Sequence, residues 1–127
     1  MTAPIFEITK CATFDAAHRL PGGPADGVYT RLHGHSFQVE ATLRGEASAP
    51  VGWVEDLGRL DAALKAAAGE LDHSLLNDHA ALESPTLEAL CLWFAGRMRG
   101  KFPSLASITV SRPTVGERCV FRLASGS

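Results

Sequence analysis

The order of elements legible in this chain, strand, strand, helix, helix, strand, strand, predicts an α+β fold. The simplest arrangement is a four-stranded antiparallel sheet with two helices on one face, which buries every apolar stripe at once. Two patterns carry the prediction. Phe37, Val39, Ala41 and Leu43 alternate with Gln38, Glu40, Thr42 and Arg44, the period of a half-buried strand. From Asp56 the period changes, and Leu57, Leu60, Leu64, Ala67 and Leu71 recur at helical spacing.

The remaining elements follow in order. Ile5 to about His18 reads as the first strand, with Phe6, Ile8, Ala12, Phe14 and Ala16 on one parity and Lys10 the exception. Pro21 to Gly27 is rich in Gly and Pro and reads as loop. Asp56 is the expected N-cap of the first helix. The second helix is expected near Ser84-Pro85-Thr86, with Ser84 capping and Pro85 in the first turn. Leu87, Leu90, Cys91, Phe94 and Met98 give its buried face. Ile108 to Val110 and Cys119 to Phe121 read as two final strands joined across Pro113 to Gly116. The tail from Ala124 to Ser127 is expected to fray.

A length of 127 residues suits one domain spanning 1–127. Lys plus Arg number 12 and Asp plus Glu 14, a net charge of −2 without a basic stripe. Nucleic acid is therefore not an expected partner. The apolar runs are too short to cross a bilayer, and no signal segment is visible, so the expected location is the cytoplasm with no membrane partner. Cys11, Cys91 and Cys119 are scattered in apolar runs and read as small buried hydrophobes rather than a disulfide framework.

The chemistry-bearing residues cluster. His33 and His35 lie two apart at the entry to the second strand, so both project to one face, the face of Phe37 and Val39. His18 ends the first strand on the parity of Phe14 and Ala16. If the two strands pair antiparallel, the end of one lies beside the start of the other, and the three imidazoles converge. Three neutral nitrogens plus an open position make the usual catalytic zinc set. The spacing leaves open the plainer alternative that these are loop histidines. Asp15 and Glu40 are possible acceptors for the histidines, but both fall on the opposite parity. Asp72-His73 follows the first helix and reads either as an acid/base relay or as an ordinary helix end favoured by the dipole. His79 is expected to be exposed.

These residues fall into a series of motifs. Phe14-Asp15-Ala16-Ala17-His18-Arg19-Leu20, Leu32-His33-Gly34-His35-Ser36-Phe37, Gly52-Trp53-Val54-Glu55-Asp56-Leu57, Leu71-Asp72-His73 with Leu76-Asn77, and Pro85-Thr86-Leu87-Glu88 occur in that order. Together they resemble the motifs of the 6-pyruvoyl- and 6-carboxy-tetrahydropterin synthases. The resemblance implies the tunnelling fold, assembled as trimers and commonly hexamers, with active sites at subunit interfaces. It also implies zinc on His18, His33 and His35, and a pterin-like substrate whose side-chain hydroxyls the metal holds. Asp72 and His73 would then move protons together with a cysteine. Arg19 and Arg31 would be candidates for substrate phosphates, or else plain surface charges.

The chain departs from that pattern at two places. Where the family's cysteine stands, four residues before His33, this sequence has Tyr29, and Thr30 occupies the position of the glutamate used by another branch. Tyr29 becomes the candidate acid/base partner. The family anchors its pterin with a glutamate in a V-x-E-T pattern, and here Val110-Ser111-Arg112-Pro113 stands instead. An arginine offers only donors, so Arg112 favours an acceptor-bearing group, with Glu117 past the turn the other candidate contact. The leading expectation is a zinc-dependent lyase acting on the side chain of a pterin or related heterocycle. The alternatives are an enzyme of a different, acceptor-rich heterocycle and a non-catalytic zinc-containing assembly subunit.

Overall fold

The computed structural model describes residues 3–24 and 27–124. The expected fold is found: β1 (Phe6–His18), β2 (His33–Gly45), α1 (Leu57–Leu71), α2 (Leu87–Met98), β3 (Leu105–Arg112) and β4 (Glu117–Arg122). The strands form one sheet in the order β1-β2-β3-β4, antiparallel throughout. Two loop positions, 25 and 26, and the tail at 125–127, where fraying was expected, lie outside the described residues.

Alternation places the core. In β1 Ala12, Phe14, Ala16 and His18 are buried, and in β2 Phe37, Val39, Ala41 and Leu43. Phe14 and Phe37 are register partners whose rings stack 5.0 Å apart, and Phe94 of α2 packs on Phe14 at 5.7 Å. Leu60, Leu64 and Leu71 of α1 and Leu90, Phe94 and Met98 of α2 close over this face. The other face of the sheet carries short polar side chains such as Thr9 and Thr42, whose hydroxyls meet at 2.7 Å.

Helix caps explain where the helices begin. Asp56 accepts from the backbone N–H groups of Gly58 and Arg59, as expected of an N-cap. The second cap is a correction: Thr86, not Ser84, holds that position and accepts from Ala89 N at 3.1 Å. Pro85 is therefore outside α2, buried, with its carbonyl turned to His18.

Three smaller expectations change. Leu57 stands at the first helical position, 41% exposed, beside Phe6, Ile8 and Trp53 in an apolar groove. Cys11 is exposed because its parity is that of the outer face, and only Cys91 is fully buried. Burial pushes the Cys91 thiol up to about 12, with Cys119 adding to the shift. His79 is half-buried, its Nε2 3.0 Å from Ser74 Oγ. No helix among the described residues is long and apolar enough to cross a membrane.

The topology brings the ends of β1 and β3 and the starts of β2 and β4 to one end of the sheet. Past α1 the chain runs along the free edge of β1. His73 N donates to Asp15 O at 2.7 Å and Ala17 N to Ser74 O at 2.9 Å, a short parallel bridge at Ala17 and Leu75.

Candidate metal centre

His18 and His33 are direct register partners, and His35 lies opposite Ala16. No bulge interrupts this pairing, so the parity holds to the last residue and all three rings share the inner face. Their centroids are 4.6, 5.1 and 4.9 Å apart, and one ligand nitrogen from each lies within 4.8 Å of the others. Phe37 forms the apolar floor, edge-on to His18 at 5.8 Å and to His35 at 5.7 Å.

Backbone carbonyls fix the tautomers. His18 Nδ1 donates to Pro85 O at 3.2 Å, and His33 Nδ1 donates to Arg31 O at 2.7 Å. In the neutral rings both Nε2 atoms then carry bare lone pairs, and these two atoms face each other at 3.1 Å. Two lone pairs at that distance repel unless a proton or a cation sits between them. A proton is disfavoured at His18: burial, partly offset by the Pro85 carbonyl, and then the neighbouring His33, His35 and Arg112 lower its pKa to about 4. His35 is lowered too, first by burial and then by Arg112 and His33. A zinc ion at Zn–N distances of about 2.0–2.1 Å holds tetrahedral nitrogens roughly 3.3 Å apart. The donor set, the orientation imposed by the carbonyls and the spacing all fit such an ion. The carbonyls of Pro85 and Arg31, rather than Asp15 or Glu40, orient the imidazoles.

Asp72 and His73 form a second constellation on the other side of β1. Asp72 is the C-cap of α1, and His73 follows it in the left-handed region at φ 57°, the usual way to end a helix. The same turn places His73 Nδ1 2.9 Å from Asp72 Oδ2, so the helix-end and relay readings both hold geometrically. Asp72 Oδ1 accepts from Asp15 N at 2.9 Å, and Asp15 accepts from Ser36 Oγ at 2.6 Å. The Asp72 hydrogen bond and charge, with a lesser contribution from Asp15, raise His73 above the usual 6.5. Asp72 itself is held below the usual carboxylate value, chiefly by Asp15 N and then by His73. His73 and His35 both border an open depression of about 670 Å³ on this side. The His35 ring, however, is turned inward with His18 and Phe37.

The other expected site residues are scattered around this end of the fold. Arg112 and Glu117 are partners across β3 and β4, 3.0 Å apart at Nε and Oε1, and both influence His35. Tyr29 lies in a short 3-10 turn, 48% exposed, and its carbonyl accepts from Leu20 N just beyond His18. The side chains of Arg19 and Arg31 are exposed, whereas their backbones hold the site. Asn77 clamps Arg19 through both N–H and carbonyl at 3.0 and 2.8 Å, and also donates to Glu83 O. The signal for this role in the chain is a side-chain amide six residues past the end of α1, because Asn can mimic a turn partner for backbone groups.

The sequence model of the family described as 6-pyruvoyl tetrahydropterin synthase matches residues 7–123. A 6-carboxy-5,6,7,8-tetrahydropterin synthase of Synechocystis is 38% identical over 109 residues, 81% of this chain and 83% of that one. A dihydroneopterin monophosphate aldolase of Pyrococcus furiosus is 35% identical over 92 residues, 72% of this chain and 74% of that one. Among solved structures, the 6-pyruvoyl tetrahydropterin synthase of Caenorhabditis elegans superposes with a TM-score of 0.83 at 21% identity, covering 98% of this chain and 99% of that one. With the family match spanning all four strands and both helices, the chain belongs to the 6-pyruvoyl tetrahydropterin synthase family.

Proposed function

We propose that this protein is a zinc-dependent lyase acting on the side chain of a pterin or a closely related bicyclic heterocycle. The observation that carries the reading is the pair of bare Nε2 atoms of His18 and His33 facing each other at 3.1 Å beside His35. Two relatives support the substrate class and the reaction type: one is named for a carboxytetrahydropterin, the other for an aldolase reaction on dihydroneopterin monophosphate. Zinc, bound by His18, His33 and His35, would supply Lewis acidity to a substrate oxygen.

The chain's own groups do the rest. Asp72 fixes the His73 tautomer by accepting from Nδ1, leaving Nε2 to take or deliver a proton. A raised His73 pKa suits that exchange near neutral pH. Tyr29 stands where related enzymes use a cysteine and is the second proton-transfer candidate. Arg19 and Arg31, exposed around the mouth, suit a phosphate on the substrate side chain.

His73 sits beyond the free edge of β1, whereas the His35 ring is turned inward against His18 and Phe37. That separation favours sites completed between subunits, with His73 of one copy serving the histidines of another. The protein would work in the cytoplasm as a trimer-based homo-oligomer, a hexamer whose mass in solution checks the reading. Exposed Ile5, Phe6, Trp53 and Leu57 give it apolar surface to cover.

The test is a product assay on zinc-loaded protein with dihydroneopterin triphosphate, its monophosphate and sepiapterin, against a metal-stripped control. Zinc-dependent turnover of any of them is the expected result. Zinc bound at one ion per chain without turnover would favour the non-catalytic assembly reading. Failure to bind zinc would remove the proposal altogether.

A further inference from the structure

Metal binding leaves one feature of the inner face unused. β3 ends on Arg112 and β4 begins on Glu117, directly opposite each other. Arg112 continues the inward parity of Ile108 and Val110 and is only 12% exposed at its side chain, against 47% for Glu117. Its Nε lies 3.0 Å from Glu117 Oε1, yet the N–H is not aimed at that oxygen. Nε is thus a buried donor without a hydrogen-bond partner, a costly state that an incoming acceptor would relieve. The β2–β3 register sets Val110 opposite Val39 and Ser111 opposite Gln38, so Arg112 lies at the level of Phe37, whose ring meets those of His18 and His35, and the charges of Arg112 and Glu117 both reach His35.

We infer that Arg112 and Glu117 together recognise a ring edge carrying a carbonyl oxygen beside an N–H, the cyclic-amide edge of a bicyclic heterocycle. This deepens the proposed function and rests on its reading of the histidine cluster as a heterocycle site. Three kinds of edge can be compared. An edge of two donors, such as an amino group beside a ring N–H, suits a lone carboxylate but leaves Arg112 facing donors. A carboxylate pairs with Arg112 but meets the negative charge of Glu117. A cyclic amide accepts from Arg112 and donates to Glu117, so both side chains are matched.

The consequence concerns a substituent the pair does not touch. In a pterin the ring N–H lies between a carbonyl and an amino group. Reading the carbonyl side makes the amino group dispensable, so lumazine, which has a second carbonyl in its place, fits equally well.

The experiment is a fluorescence titration of zinc-loaded protein with pterin, lumazine and 1,3-dimethyllumazine, in which both amide N–H groups of the dione ring are blocked. Pterin and lumazine are expected to bind within about threefold of each other, and 1,3-dimethyllumazine roughly tenfold or more weaker, the loss of a hydrogen bond to a charged group. Arg112→Gln should weaken pterin and lumazine alike by about tenfold or more, and Arg112→Glu should create a preference for pterin, with zinc content measured on each variant. Wild-type protein that binds pterin at least tenfold tighter than lumazine, or tolerates the methyl groups, overturns the inference while leaving the heterocycle site intact. If no ring binds the wild type, the inference and the heterocycle reading fall together. The decisive comparisons use wild-type protein, so a variant that fails to fold does not blunt them.

Discussion

The inner face of β1 and the segment along its free edge carry histidines in opposite electrostatic states. On the inner face His18 is 0% exposed, loses its favour for a proton to burial, and has a pKa near 4. On the outer side Asp15 takes part in holding Asp72, and His73 gains a partner that raises its pKa. The residue type is the same, but His18 belongs to β1 and His73 to the segment that runs along the free edge of that strand. Burial with a carbonyl partner keeps a lone pair available for a metal, while exposure with a carboxylate partner keeps a proton available for transfer. His18 owes its environment to the inward alternation of β1, and His73 owes its own to the segment after α1 that hydrogen-bonds to the edge of that strand.

The largest effect that can break this contrast is on the inner face. His33→Ala and His35→Ala each remove one nitrogen of three. Disturbing a group that merely orients a ligand costs about 10–100-fold in metal affinity, so losing a ligand should cost at least about 100-fold. Zinc competition against a chromophoric chelator reads this directly, and retention of wild-type affinity would dissolve the assignment of the cluster. The next effect falls on the outer side. Asp72→Asn should lower turnover by ~10²–10⁴, the range for a positioned acid/base group, with zinc affinity unchanged. The His73 resonance followed by NMR should titrate above 6.5 in the wild type and lower in the variant. A variant that lost zinc as well would show that the two faces are coupled within the chain.

pH separates the faces with opposite signs. For His18 the folded pKa of about 4 lies below the unfolded 6.5, so the unfolded chain binds more protons between those values. Stability of the metal-free protein should therefore fall as pH drops through that window, by ~3 kcal/mol at most from this group. For His73 the folded pKa lies above 6.5, so its contribution is present below 6.5 and is lost as pH rises through the folded value. Chemical denaturation of metal-free protein at pH 6.5 and pH 4 checks the first sign. Equal stability at the two pH values would mean that His18 is not held neutral by burial.

Much of this was legible in the chain because alternation survives from sequence to structure. The strict period of Phe37 to Leu43 fixes which way His33 and His35 face, and the register of β1 against β2 follows from burying one face of each. What could not be read are contributions that come from backbone. Pro85 O and Arg31 O orient His18 and His33, and a carbonyl carries no mark of its direction in the residue name. The same limit applies to the cap: Ser84 and Thr86 are both capping types, with Ser the commoner, and the names alone do not show that the Pro85 carbonyl between them faces a histidine 67 residues earlier. Cys11 is a different case: Glu7, Thr9, Thr13 and Asp15 share its parity, so its outward direction is legible in the chain. Asp72 and His73 were legible as a pair, but not as lying across β1 from the three histidines, because that depends on the path of the chain after α1.

Thr86→Ala tests whether that cap matters to the metal. The cap is worth ~1 kcal/mol of stability, and Thr86 immediately follows the carbonyl that holds His18. A looser start to α2 frees that carbonyl, so zinc affinity should fall along with stability, by less than in the His33→Ala variant. A loss of stability with zinc affinity unchanged would show that Pro85 is held by its own burial rather than by the helix.

The smallest expected effect gives the sharpest test of separation between the faces. Asp15 is the last of the influences raising His73, and its side chain accepts from the Ser36 hydroxyl. Its backbone N–H, which holds Asp72, is untouched by changing the side chain. Asp15→Asn should therefore lower the His73 pKa slightly, by less than Asp72→Asn does, and leave zinc affinity at the wild-type value. His18 is only three residues away in sequence, yet its ring is on the opposite face of the strand, edge-on to Phe37. If Asp15→Asn shifts zinc affinity as much as it shifts His73, proximity along the chain outweighs the alternation of the strand, and the division of labour between the two faces fails.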